Sequence, residues 1–162
     1  MDSVLSVTDL NVSLKLGRQK EKTLVSDVSF SLCKGECLGI LGESGSGKSL
    51  TVKSVMGLLD GSFTVTGKAL FAGQDLLKAG EEKLRRLRGQ KIAMVLQNPM
   101  SCFDPLYRIG SQMAETFATH TDWSGAHIRE QSLAVLGKMH IRNGEEVLSK
   151  YPHQLSGGML QR

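Results

Sequence analysis

The stretch GESGSGKS, residues 42–49, has the spacing G-x-x-x-x-G-K-[ST]. Glycines at positions 45 and 47 let the backbone curl with its N–H groups pointing inward, because no Cβ blocks a close approach. A helix that begins directly after the loop would add the positive end of its dipole. An apolar run precedes the stretch and apolar residues at helical spacing follow it. The stretch therefore predicts a loop that cradles the phosphates of a nucleotide.

Two polar side chains of this loop receive chemical roles. Lys48 would reach the β- and γ-phosphates as a point charge, and the Ser49 hydroxyl would ligate Mg²⁺. The alternative is a glycine turn without a ligand, but the predicted strand before the loop and the predicted helix after it favour the phosphate loop. Such a loop alone permits kinases, GTPases and ATPases. The predicted nucleotide-binding residues of the loop are Gly42, Glu43, Ser44, Gly45, Ser46, Gly47, Lys48 and Ser49.

Hydrophobic patterning predicts an α/β fold. Alternating apolar residues predict antiparallel strands over residues 5–16, 24–33 and 63–76. The nearly continuous apolar runs CLGILG (37–42) and KIAMVLQ (91–97) predict strands that are buried on both faces.

Apolar residues at helical spacing predict helices over residues 48–59, 107–120 and 126–140. The pattern changes near residue 98, where a β-rich part gives way to a helical part. We therefore expect two domains: residues 1–97 with the phosphate loop, and residues 98–162 as a helical subdomain.

A second glycine-containing motif, LSGGMLQR, occupies residues 155–162. Ser156, Gly157 and Gly158 could offer a hydroxyl and backbone N–H groups to a γ-phosphate, as a second anion nest. Taken alone, the motif could be only a glycine turn, and Gln97 could be only a polar residue that closes a strand. The order of phosphate loop, glutamine and LSGG motif is far more specific than any one of the three.

In this order the motifs resemble those of ABC-type ATPases, and the resemblance covers essentially the whole chain. The segments that carry it are VSDVSFSLCKGECLGILGESGSGKS, LQNPMSCFDPLYRIG and YPHQLSGGMLQR. They are similar to the peptide and nickel importer branch, and most of all to nickel or metallophore import subunits. The resemblance implies a phosphate-loop NTPase core with an N-terminal antiparallel β part and a helical subdomain. It implies an ATP-binding subunit that couples ATP binding and hydrolysis to uptake of nickel, a metallophore or oligopeptides.

The resemblance also implies cofactors, partners and location. ATP and Mg²⁺ are expected, with Lys48 and Gln97 as catalytic residues and with Ser49 and Gln97 as Mg²⁺ ligands. Two subunits, identical or sister chains, would pair head to tail, so that Ser156, Gly157 and Gly158 serve the ATP of the other subunit. Further partners would be transmembrane permease subunits and, indirectly, an extracytoplasmic substrate-binding protein. The expected location is peripheral, on the cytoplasmic face of the bacterial cell membrane.

Two features depart from the family pattern. The family usually stacks adenine on an aromatic residue before the phosphate loop, but no aromatic residue occurs before Phe30, which makes Leu16, Arg18 or Val25 the candidates for that contact. The family also continues past the LSGG motif to the Walker B strand, whose carboxylates hold Mg²⁺ and polarise water, and to a switch histidine. We therefore expect a chain truncated just after the motif, an incomplete sheet, and no ATPase activity of this chain alone.

Other functions remain open at this point. A DNA-repair or chromosome-type ABC ATPase would carry a coiled coil or a zinc insertion between Gln97 and Ser156, and that interval has neither a heptad run nor a C-x-x-C. A non-catalytic remnant is the third alternative. The net charge of +4 and the basic segment 83–91 permit a nucleic-acid surface. Leucines at helical spacing without interleaved aromatics instead favour a solvated helix face and no nucleic-acid partner.

Overall fold

A computed structural model describes residues 3–17 and 20–162, which form two units divided between Arg85 and Arg86. The predicted division lay after Gln97. The difference arises because segment 91–97 adds no strand to the sheet of the first unit and belongs to the second unit. Within the described part of the chain, no helix has the length and apolar character needed to cross a bilayer.

The first unit is built on an antiparallel four-stranded sheet in the order β2-β1-β3-β4, which confirms the predicted N-terminal antiparallel part. Its strands form where apolar and polar residues alternate, as expected for strands with one covered face. The elements of this part of the chain are β1 (Ser3–Lys15), β2 (Glu21–Cys33), α1 (Lys48–Val55), β3 (Phe63–Phe71), β4 (Gln74–Asp75) and α2 (Glu81–Leu87).

A bulge keeps the apolar residues of β1 on one face. Val7 is 2% exposed and Leu10 0%, although strict alternation would turn these two side chains to opposite faces. The pairing of β1 with β2 shifts register between them, with Asp9 at φ 48°, so the extra residue restores the buried face. Asn11 closes the bulge: its Nδ2 donates to the Asp9 carbonyl oxygen at 2.8 Å, and its Oδ1 accepts from the Asp27 N–H at 3.1 Å.

The neighbouring strand β3 meets this bulge with a glycine. Gly67 has φ 107°, and a Cβ at this position would lie 2.4 Å from the Asp9 carbonyl oxygen. That contact is far inside van der Waals distance, and the atom it meets belongs to backbone held by the bulge. The fold itself therefore requires glycine at position 67.

Helix α1 packs on β1 through a face of small polar residues. Thr51 and Ser54 are buried beside Val55. Their hydroxyls are satisfied by backbone, since Thr51 Oγ1 donates to the Gly47 carbonyl oxygen at 3.0 Å and Ser54 Oγ to the Thr51 carbonyl oxygen at 2.7 Å. The helix ends at Val55 instead of at Leu59 as predicted, because the chain turns there.

In α2, Leu84 is 8% exposed, while Arg85 faces solvent and pairs with Glu82 at an Nε–Oε2 distance of 3.5 Å. A buried leucine and an exposed charged side chain on the same helix are what the predicted solvated helix face requires.

The two apolar runs predicted as buried strands form no strand, and this prediction was wrong. In segments 37–42 and 91–97, Leu41 is 95% exposed and Val95 77% exposed. A strand that is buried on both faces needs neighbouring strands and a cover on each face. The described residues supply neither to these runs, so the sheet of the first unit stays open at the phosphate-loop segment.

The second unit is helical, as predicted for residues 107–120 and 126–140. Ser124 begins one of its helices, and its Oγ accepts from the His127 N–H at 3.3 Å. The helices are α3 (Ile109–His120), α4 (Gly125–Lys138), α5 (Gly144–Ser149) and α6 (Gly157–Gln161). They enclose an apolar core formed by Ile109, Leu136, Ile141, Val147, Leu148 and Leu160.

Candidate functional site

The phosphate loop, residues 42–49, holds its own lysine inside the curl of the chain. Lys48 Nζ donates to the Gly42 carbonyl oxygen at 2.8 Å and to the Glu43 carbonyl oxygen at 2.6 Å, and it lies 3.3 Å from Ser46 Oγ. All three acceptors are neutral, so an anionic phosphate oxygen would bind the same ammonium more strongly. The cation that the sequence assigned to the phosphates is therefore positioned within the loop.

Gly47 joins the loop to α1 and must be glycine. It has φ 90°, and a Cβ would lie 3.0 Å from Val25 Cγ2 and 3.5 Å from the Leu24 carbonyl oxygen. Gly47 is also the N-cap residue of α1, and among the described residues no side chain caps this helix end. The first N–H groups of a helix have no intrahelical partner, so this end is open to an anion.

A cavity of about 290 Å³ opens at the loop and brings most of the predicted loop residues together. Sequence reasoning missed one of its walls, Leu24, which is 37% exposed. The signal that could have identified Leu24 is alternation along β2, which buries Val25 and turns an apolar residue outward beside it. The lining residues are Leu24, Gly45, Ser46, Gly47, Lys48, Ser49 and Leu50.

Two of the three residues suggested for the base contact, Leu16 and Val25, do not line this cavity. Leu16 is 57% exposed and does not line this cavity. Val25 is 6% exposed and packs under the loop at Gly47. Arg18 lies outside the described residues.

The loop offers one side chain that can coordinate Mg²⁺. Ser49 is exposed as the second residue of α1 and lines the cavity, and hydroxyl oxygen is a ligand type that Mg²⁺ accepts. The described residues contain no cluster of three or more His, Cys, Asp or Glu that could hold a metal ion. Mg²⁺ bound in proteins usually also takes water and substrate phosphate oxygens as ligands. The second predicted ligand, Gln97, is exposed in the second unit.

The LSGG motif forms the beginning of α6. Ser156 is the N-cap residue, with its Oγ accepting from the Met159 N–H at 3.3 Å, and Leu160 anchors the helix in the apolar core. At Gly157 and Gly158 no described atom lies within 4 Å of the Cβ position, and neither residue has a positive φ. Neither backbone conformation nor packing in this unit requires glycine at these two positions.

The structure links the segment that carries Gln97 to the LSGG helix. Gln161 Nε2 in α6 donates to the Leu96 carbonyl oxygen at 3.4 Å. The predicted site residues thus form two groups: residues 42–49 in the first unit, and Gln97 with Ser156–Gly158 in the second.

The fold and these motifs agree with known proteins. The chain is 44% identical over 142 residues to the metal-staphylopine import system ATP-binding protein CntD of Staphylococcus aureus, covering 88% of this chain and 52% of that protein. It is 40% identical over 161 residues to the oligopeptide transport ATP-binding protein OppD of Escherichia coli, covering 99% and 48%. It is 42% identical over 164 residues to the dipeptide transport ATP-binding protein DppD of Bacillus subtilis, covering 100% and 49%. The chain spans about half the length of these relatives.

Among solved structures, the ATP-binding cassette MJ0796, in a dimeric post-hydrolysis state bound to ADP and Pi, superposes with a TM-score of 0.81. It covers 96% of this chain and 65% of the other at 22% identity, and so it supports the fold. Residues 25–162 match the sequence pattern of the ABC transporter family. The chain belongs to the ABC transporter family.

Proposed function

We propose that this chain supplies the ATP-binding part of an ABC importer, which couples ATP binding and hydrolysis to uptake of oligopeptides or metal–metallophore complexes. The observation that carries the proposal is the position of Lys48, whose ammonium is held inside the loop by the Gly42 and Glu43 carbonyl oxygens. The matched relatives are named as ATP-binding proteins of peptide and metal-staphylopine import systems, which supports the importer class.

The chemistry of the first unit follows from charge and hydrogen bonding. Phosphate oxygens would displace the neutral carbonyl acceptors of Lys48 and gain the open N–H groups of α1. Ser49 would hold Mg²⁺, which, when bound, neutralises charge on the phosphates. Gln97 keeps its predicted role as a second Mg²⁺ ligand. That the 162-residue chain alone hydrolyses no ATP stays a prediction, which a phosphate-release assay checks.

The second unit supports pairing between subunits. Gly157 and Gly158 leave an open surface at the start of α6, beside the Ser156 hydroxyl. Backbone N–H groups without side chains over them suit a phosphate that approaches from outside the unit. We therefore propose that Ser156, Gly157 and Gly158 contact the ATP of a sister or identical subunit in a head-to-tail dimer. The other proposed partners are permease subunits at the cytoplasmic face of the membrane and, through them, a substrate-binding protein.

The transported substrate is the most specific part of the proposal. We assign nickel or another metal in a metallophore complex ahead of oligopeptides, because the MLQR ending of the LSGG motif resembles metallophore import subunits. The division by function, residues 1–97 for the nucleotide and 98–162 for the LSGG motif, belongs to the same proposal.

An uptake assay in cells tests the function. The full reading frame that encodes this chain is disrupted and then restored as wild type, as Lys48→Ala, or as Lys53→Ala, which removes a matched lysine from the last turn of α1. Uptake of radioactive nickel, with and without metallophore, and of a labelled tripeptide is measured. We expect wild type and Lys53→Ala to restore uptake of one cargo and Lys48→Ala to restore none. Equal uptake with Lys48→Ala would contradict the proposal.

A further inference from the structure

We propose that the second unit binds a monovalent soft cation, Cu(I), in an apolar cavity that is rich in sulfur. This sulfur cavity has a volume of about 290 Å³, lies within the second unit and shares no residue with the phosphate loop. Four of the chain's seven methionines line it with one of the three cysteines, although leucine fills nearly the same volume without sulfur. The sulfur-bearing lining residues are Met94, Cys102, Met113, Met139 and Met159.

Helix α6 brings two of the sulfur-bearing segments together. Gln161 donates from Nε2 to the Leu96 carbonyl oxygen at 3.4 Å, and so holds the segment that carries Met94. The same helix packs on the turn Pro99–Cys102, whose last residue carries the thiol. A thioether and a thiol from two separate segments therefore reach the same helix.

The end of α4 is attached to α6 as well. Arg162, directly after α6, donates from Nη1 to the Met139 carbonyl oxygen at 3.4 Å. Met159 lies within α6 and packs, like Met113 of α3, against the apolar core of the unit. The sulfur atoms thus come from segments that are distant in sequence, and a metal ion bound in the cavity would join these segments.

The donor set suits Cu(I). Thioethers and thiolates are soft ligands, which select this cation over harder ones. The lining residues include no histidine, aspartate or glutamate, so Zn²⁺ would find one thiolate as its only usual protein ligand. When Cu(I) binds, the Cys102 thiol would release its proton to solvent, and the thiolate would neutralise the cation. Arg162, the one charged residue of the lining, donates from Nε and Nη1 to the carbonyl oxygens of Gly158 and His140, each at 3.3 Å.

The cavity is accessible to an ion from solvent. Cys102 is exposed and Met139 is 43% exposed, whereas the other three sulfur-bearing residues are half-buried. A cation can therefore reach the exposed sulfur atoms from outside, and the half-buried thioethers can shield it from water.

Competition for Cu(I) between the full chain and the chromogenic chelator bicinchoninate, in the absence of oxygen, tests the site. The double variant Cys33→Ser/Cys37→Ser serves as the parent, because it leaves Cys102 as the only thiol of the chain. We expect the parent to withdraw one Cu(I) per chain from the chelator. X-ray absorption at the copper edge should then show a shell of sulfur neighbours.

Substitutions of methionine by leucine remove sulfur and keep the volume. Met139→Leu and Met159→Leu should each bind Cu(I) at least about tenfold more weakly than the parent, since even the loss of a partner outside the coordination shell commonly costs about 10- to 100-fold in metal affinity. Met100→Leu is the matched control, because it removes a thioether of similar exposure (41%) outside the cavity. It should bind like the parent.

Three results would overturn the assignment. They are equal Cu(I) affinity of the parent, Met139→Leu and Met159→Leu; a copper shell of nitrogen or oxygen alone; and failure of the parent to compete with the chelator. Zn²⁺ bound as tightly as Cu(I) would overturn it too, because thioethers would then not decide the affinity. Far-ultraviolet circular dichroism checks that each variant is folded, and Met139→Leu decides the point even if Met159→Leu does not fold, since Met139 lies at the surface.

Discussion

The two glycine-rich turns of this chain differ in why they contain glycine. In the phosphate loop, Gly47 has a positive φ and too little space for a Cβ against Val25. In the LSGG turn, Gly157 and Gly158 have ordinary backbone angles and open space around the Cβ position. The first turn is thus constrained by the fold of its own unit. The second turn presents a bare backbone surface that the packing of its own unit does not require, as the proposed contact with a partner's nucleotide would need.

The largest expected effect is the loss of stability on replacing a glycine that the fold requires. Gly67→Ala places a Cβ 2.4 Å from the Asp9 carbonyl oxygen in a backbone conformation at φ 107°. We expect it to lower the free energy of unfolding by about 3 kcal/mol or more, through steric overlap and backbone strain. Urea denaturation followed by far-ultraviolet circular dichroism measures this. Gly61→Ala is the matched control, because no described atom lies within 4 Å of its Cβ position; equal losses in the two variants would contradict the bulge geometry.

Gly47→Ala should have the next largest effect. A side chain here meets Val25 Cγ2 at 3.0 Å with φ at 90°, so we expect a loss of about 1–3 kcal/mol of stability together with weaker ATP binding. Gly39→Ala, just before the loop and with open space around it, should leave both quantities nearly unchanged. Denaturation and calorimetry on the same preparations decide the point. If Gly47→Ala bound ATP with wild-type affinity, the loop could bind the nucleotide in a different backbone conformation.

Gly157→Ala and Gly158→Ala should leave stability unchanged or raise it by up to about 1 kcal/mol, because alanine is the better helix former. Trp123, the chain's one tryptophan, lies in the second unit and reports its unfolding by fluorescence. The same variants should lose uptake in the cell assay, because the proposed partner nucleotide needs the bare backbone. If the variants were stable and supported full uptake, the proposed contact of this surface with a partner's nucleotide would be contradicted. If the variants were unstable, the fold of the second unit would require these glycines, and the difference between the two turns would not hold.

The contrast also shows what local sequence can and cannot specify. Alternation and helical spacing are local, and they predicted β1, β2, β3, α3 and α4. The phosphate loop follows from a short motif with a mechanical reason for each residue type. The apolar runs 37–42 and 91–97 were predicted as strands, yet a strand exists only with a partner strand, and composition does not specify partners.

Leu24 shows a second limit of sequence reasoning. The candidates for the base contact, Leu16, Arg18 and Val25, were chosen by residue type. The cavity instead depends on which side chain of β2 turns outward at the level of Gly47. Alternation along β2 shows which side chains share a face. It identifies the outward side chain only once one buried side chain, here Val25, is known.

The smallest expected effect concerns a surface ion pair in the helical unit. Lys150 Nζ lies 2.6 Å from Glu146 Oε1, and its hydrogen bond and charge hold the pKa of Glu146 below its usual value. The pair therefore stabilises the folded state above the unfolded pKa of Glu146, and this contribution is lost as the pH falls through the lower, folded pKa. Lys150→Met should be slightly less stable than wild type at neutral pH and equal to it in acid.

Denaturation curves at several pH values, with Lys138→Met as an exposed control from the last turn of α4, check this expectation. A difference between Lys150→Met and wild type that does not depend on pH would mean that packing, not charge, connects these two side chains.

The central claim is that the loop of residues 42–49 binds a nucleotide through Lys48, and calorimetric titration of MgATP tests it most directly. We predict that wild type and Lys53→Ala bind MgATP with equal affinity. Lys48→Ala should bind at least about tenfold more weakly, because it loses a charge-assisted contact. Lys48→Arg should not restore the affinity, because a planar guanidinium does not fit a point-charge site. Equal affinity of wild type and Lys48→Ala for MgATP would contradict the account.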